Sequence, residues 1–114
     1  MVSCDAPMKP SSLRRLIARG EGPTLEFKKT TGELREGLQT LCAFLNDSGG
    51  KVIFGVTDSG KIVGQDVSDK TRREIAAMLE SFEPPAPLAV EYVDLPDRSS
   101  KLIVIEARPQ DETR

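Results

Sequence analysis

Between Thr24 and Lys29, apolar Leu25 and Phe27 alternate with charged Glu26 and Lys28. A period of two is that of a half-buried strand, with Leu25 and Phe27 facing in and Glu26 and Lys28 facing out. The next stretch changes period. Leu34, Leu38, Leu41, Cys42 and Leu45 recur at 0, +4, +7, +8 and +11, which predicts an amphipathic helix. Thr30 stands three residues before Glu33 and predicts a capping box at its start. Asn46-Asp47-Ser48-Gly49-Gly50 stops it, with a glycine available for a left-handed cap. Val52-Ile53-Phe54-Gly55-Val56 is apolar throughout, as a central strand buried on both faces would be.

The flanking segments complete the pattern. Ser11 or Ser12 is placed to cap a short N-terminal helix carrying Leu13, Leu16 and Ile17 and ended by Gly20. After the central strand, Asp58-Ser59-Gly60 predicts a turn, with Lys61–Gly64 returning as a hairpin partner. Ser68 or Asp69 caps a second main helix with Ile75, Met78, Leu79 and Phe82 on one face, and Pro84, Pro85 and Pro87 forbid its continuation. Residues 88–95 and 102–107 predict a closing strand pair across Asp97-Arg98-Ser99-Ser100. The expected fold is α/β (α+β). It is one compact domain over residues 11–109, with a mixed sheet of about five strands, two main helices and a short N-terminal helix. Residues 1–10 form a flexible lead-in, and 110–114 a polar tail suited to leading into further domains.

Composition narrows the chemistry. The 114 residues include no His, so Ser-His-Asp triads, Cys-His nucleophiles and His-bearing metal sites are excluded within this chain. Cys4 and Cys42 make neither a disulfide framework nor a zinc set, and Cys42, in its apolar run, is expected as a small core residue. No Trp and one Tyr argue against rows of aromatic platforms for single-stranded bases. No apolar stretch reaches about 18 residues, and the first residues lack a signal-peptide core, so the expected location is cytoplasmic, with no membrane partner. Net charge is −2, but unevenly spread: residues 1–51 carry eight basic and six acidic groups, residues 52–114 eight basic and twelve acidic. A polyanion-facing surface is therefore expected from the first half.

Two constellations remain. Neither common glycine-rich phosphate motif is present, but bare amides at Ser48-Gly49-Gly50 make a candidate anion cradle; the same residues equally suit a helix stop followed by close strand packing. Glu21 and Glu26 flank the start of the first strand, and Asp58 follows the central one. If those strands are neighbours, the three carboxylates converge near one rim of the sheet, with Lys28 beside Glu26. Such a kit around Mg²⁺ or Mn²⁺ suffices for His-free phosphodiester cleavage. The plainer reading keeps Glu21 in a turn, Glu26 and Lys28 on a solvated strand face, and Asp58 as a turn former.

Three segments carry a family resemblance. Glu21-Gly22-Pro23-Thr24-Leu25-Glu26-Phe27-Lys28 resembles the E-x-x-x-x-E-F-K opening of the Schlafen-type Alba-like domain. Ala43-Phe44-Leu45-Asn46-Asp47-Ser48-Gly49-Gly50 is similar to its A-F-x-N-x-x-G-G helix end. Phe54–Gly60 with Ile62-Val63-Gly64 resembles its G-V-x-D-x-G hairpin. The resemblance implies a compact α/β domain of the kind described as a DNA-binding module of bacterial transcriptional or defence regulators, sometimes labelled ATP-binding. Nuclease members of the wider family imply catalytic or metal-binding roles for Glu21, Glu26 and Asp58, with Lys28 alongside.

The leading expectation is thus a nucleic-acid (DNA) binding module. Arg14, Arg15, Arg19, Lys28, Lys29 and Lys51 would supply phosphate contacts that are weak and salt-sensitive. The alternatives are a divalent-metal-dependent nuclease, or a structural, dimerising or nucleotide-binding module, with exposed strand edges open to pairing in a homodimer.

Overall fold

Leu25 and Phe27 do leave their strand on one side and Glu26 and Lys28 on the other, and each side of the sheet carries its own apolar cluster. The computed structural model describes residues 9–81, 88–96 and 99–108. In chain order the elements are α1 (Pro10–Ala18), β1 (Leu25–Lys28), a 3₁₀ turn (Thr31–Glu33), α2 (Leu34–Leu45), β2 (Gly50–Phe54), α3 (Asp69–Glu80), β3 (Leu88–Asp94) and β4 (Lys101–Ala107). The sheet order is β1-β2-β4-β3. β1 runs parallel to β2, with Glu26 beside Val52 and Lys28 beside Phe54, so α2 is the crossover that a parallel pair needs. β2 and β3 both pair antiparallel with β4.

Helices cover both faces. On one, Leu13 and Ile17 of α1 pack onto Leu25, Phe27, Ile53 and Val104. On the other, Leu38, Leu41 and Phe44 of α2 and Ile75 of α3 pack onto Val52, Phe54, Ile103 and Ile105. The two middle strands are therefore buried on both sides, which is why Val52–Val56 and Leu102–Ile105 are unbroken apolar runs. Asp69–Glu80 starts under the Ser68 cap: Ser68 Oγ accepts from Thr71 N at 3.2 Å, and Thr71 Oγ1 accepts from Ser68 N at 3.2 Å.

Four expectations are corrected. Among the described residues the sheet has four strands rather than about five. Gly55, at φ +109°, turns the chain out of β2, and a Cβ there would meet the Leu102 side chain at 2.8 Å. Val63 N and Gly64 N then both donate to Gly55 O, so residues 61–64 cross over the strand end and leave only isolated bridges at Ile62 and Gln65. The N-terminal helix begins at Pro10, in the position that tolerates proline. It runs nine residues, and no side chain caps it. Thr30 caps the 3₁₀ turn, accepting from Gly32 N, while the Glu33 carboxylate reaches Lys29 N instead of closing the expected box. Cys42 is exposed, and Phe44 takes the core position. The cause is Gly37, where an added Cβ would lie 2.7 Å from Phe54 Cζ. That close approach turns the Gly37–Phe44 side of α2 down onto the sheet and Cys42 away. Phe82, the three prolines, Asp97, Arg98 and the 110–114 tail lie outside the described residues.

Candidate functional site

The acids expected to converge sit in three different settings. Glu21 follows the Gly20 turn that ends α1, and its Oε2 accepts from Phe27 N at 2.9 Å along the outer edge of β1. Glu26 projects from the α2 face of β1. Its Oε2 accepts from Thr40 Oγ1 at 3.0 Å and stands 3.1 Å from Lys28 Nζ. Asp58 is exposed in the turn beyond β2. Thr57 holds that turn: its N–H donates to Lys61 O, and its Oγ1 accepts from Lys61 N at 3.0 Å. Among the described residues no group of three or more Cys, Asp or Glu side chains is close enough to hold one metal ion. Glu21, Glu26 and Asp58 are thus not assembled into a three-carboxylate centre.

Lys28 is a perturbed cation. Its side chain keeps 18% of its exposure. Burial works against the charged ammonium, but the hydrogen bond and charge of Glu26, with Glu33 and Glu36 nearby, outweigh it and hold the pKa above the ordinary 10.5. Lys28 and Glu26 form a closed pair against α2. Thr40, which sequence reasoning missed, completes it.

The other candidate basic side chains are more open, Lys51 excepted. Leu13 and Ile17 anchor α1, which leaves Arg14, Arg15 and Arg19 exposed. Lys29 is exposed just past β1. Lys51 is half-buried at the start of β2, with Nζ 3.4 Å from Glu106 Oε2. Arg108 Nε donates to Glu106 Oε1 at 3.0 Å. Lys51, Glu106 and Arg108 border an open cleft of about 480 Å³ whose walls also include Leu16 of α1, Leu25 and the Ser48–Gly50 loop. The loop also does what the plainer reading required: Gly49 takes φ +96°, and its N–H donates to Phe44 O to close α2. Glu106 and Arg108 gave no motif signal. Only strand alternation in 101–107, which sets Glu106 opposite in phase to Ile103 and Ile105, marks them.

A four-stranded mixed sheet with an apolar cluster and helices on each face defines an α+β domain. The family model for Schlafen, AlbA_2 matches residues 21–114, and the chain belongs to that family. Membership places it among nucleic-acid-related domains. The match includes Glu21, Glu26, Lys28, the Ser48–Lys51 loop, Asp58, Glu106 and Arg108; α1 with its three arginines precedes it. No helix of the described residues is long and apolar enough to cross a membrane.

Proposed function

We propose that this domain binds the phosphate backbone of nucleic acid, as a DNA-contacting module of a bacterial transcriptional or defence regulator. The observation that carries the reading is the continuity of α1 with the sheet-end cleft. Leu16 forms part of the cleft wall, Arg19 follows one helical turn later, and Lys51 lies on the same wall. Arg14, Arg15, Arg19 and Lys51 supply most of the contacts, and exposed Lys29 adds to them. Lys28 contributes least, because Glu26 already neutralises it. Such contacts fix position on a strand and carry no sequence information.

Fluorescence anisotropy with labelled duplex DNA and structured RNA, at two salt concentrations, tests this. Each neutralised phosphate contributes a slope of about −0.9 in log K against log salt for duplex DNA, and about two to five contacts are expected. Replacing Arg14, Arg15 and Arg19 together by Ala should remove most of the affinity and reduce the slope by up to about 2.7. Absence of binding at low salt by the folded wild-type chain overturns the reading.

A further inference from the structure

The face of the sheet that α1 covers around Ile53 and Val104 is polar at its other end. Lys51 lies two residues before Ile53 and Glu106 two after Val104, so alternation brings both onto that face, and the β2–β4 register pairs them directly. Arg108 continues the row. Glu106 thus engages two cations at once, Lys51 Nζ at its Oε2 and Arg108 Nε at its Oε1. A planar anion held by a lysine and an arginine is the geometry in which these side chains also take two phosphate oxygens. Beside this row, Leu16, Leu25 and Ala107 give the cleft an apolar wall suited to a sugar or base, and its volume of about 480 Å³ lies in the range of small-ligand sites.

We propose that this cleft receives the phosphate of a nucleotide unit on Lys51 and Arg108, and that Glu106 stands where the phosphate oxygens go and competes with them. Glu106 is then an internal competitor that sets the affinity low and keeps binding reversible. The phosphate can belong to a nucleic-acid strand or to a free mononucleotide; the first source rests on the function proposed above, the second does not.

Amide NMR titrations of the full chain test this, with inorganic phosphate, adenosine monophosphate and a short oligothymidylate lacking terminal phosphates as probes. The expected result is displacement of the Ser48–Lys51 and Arg108 amides. Glu106→Gln should tighten binding about three- to tenfold, the span of two partly exposed ion pairs, and Lys51→Met should weaken it by a similar factor. Thermal unfolding establishes that each variant is folded. Should Glu106→Gln not fold, Arg108→Gln provides the test with the opposite sign. A response to all three probes assigns the site to strand phosphates, and a response to the two small probes alone assigns it to free nucleotides. Unmoved cleft amides, or a Glu106→Gln affinity equal to or below wild type, overturn the proposal. If oligonucleotide binding depends on Arg14, Arg15 and Arg19 but not on Lys51, the cleft assignment fails while the function stands. If phosphate binds the cleft but no polynucleotide binds the chain, the function fails while the site stands.

Discussion

Lys28 and Glu26 are two residues apart on one strand, where side chains on the same face can meet. Their pairing makes a signed prediction. The folded-state pKa of Lys28 lies above 10.5, so its contribution to stability is fully present below pH 10.5 and is lost as pH rises through the folded value. Glu26→Gln removes the partner charge. It should cost about 0.5–1.5 kcal/mol near neutral pH and flatten the loss of stability on the alkaline side, as measured by urea unfolding on either side of pH 10.5. An unchanged alkaline slope would mean the pair is not formed in solution. Alternation alone put Glu26 and Lys28 on a shared face. Thr40 was not legible, because its meeting with Glu26 depends on how α2 is rotated. The exposure of Cys42 had the same origin: apolar spacing fitted it into the helix stripe, but the contact of Gly37 with Phe54 chose a neighbouring phase.

At the level of single elements, β1 has one paired edge and one outer edge. Its N–H donors are met one after another. Gly22 exchanges hydrogen bonds with Leu25, Glu21 accepts from Phe27 N, and Glu33 accepts from Lys29 N. Carboxylates at a strand edge both satisfy the donors and repel an incoming strand, a device against edge-to-edge association. Replacing Glu21 and Glu33 together by Ala should speed amide exchange at Phe27 and Lys29 and bring concentration-dependent association in sedimentation. Exchange as slow as wild type would show that water or a shifted backbone takes over. Leu41, fully buried on α2, tests the helix itself: Leu41→Ala should cost about 2–5 kcal/mol, and a loss below about 1 kcal/mol in urea unfolding would contradict the packing. Most elements were legible because each keeps one period along its length. Lys61–Gly64 was not, since four apolar-containing residues after a turn read as a strand until glycine dihedrals redirect them.

For the whole molecule, the layer class followed from the order of periods along the chain, and β1 and β2 are parallel neighbours, the condition set for the acids to converge. Among the described residues the acids nevertheless form no group that could hold a metal ion. Adjacency of strands does not bring their flanking residues together when one acid lies in an edge turn, one against α2, and one four residues past Phe54 in an exposed loop. Charge asymmetry pointed to the first half of the chain as the source of a polyanion-facing surface. It did not reveal the contribution of Arg108 and Glu106, which reach the same surface only through the antiparallel register of β2 with β4. Under the proposed function, a net charge of −2 with cations clustered locally makes encounters with polyanions brief and steered to one side of the molecule.

The strand order also has a consequence for how the chain comes into being. β2 lies between β1, which precedes it, and β4, whose Glu106 comes 55 residues after Lys51. During synthesis from the N-terminus, β2 emerges with a partner for one edge only. Val52, Ile53 and Phe54 must then wait, with the other edge open, while α3 and β3 are translated. Local pairing of β1, α2 and β2 can begin early, but closure of both apolar layers belongs to the final strand. The ribosome-bound nascent chain therefore passes through a stage in which an apolar central strand has one edge unpaired, and that stage closes with the arrival of Lys101–Ala107.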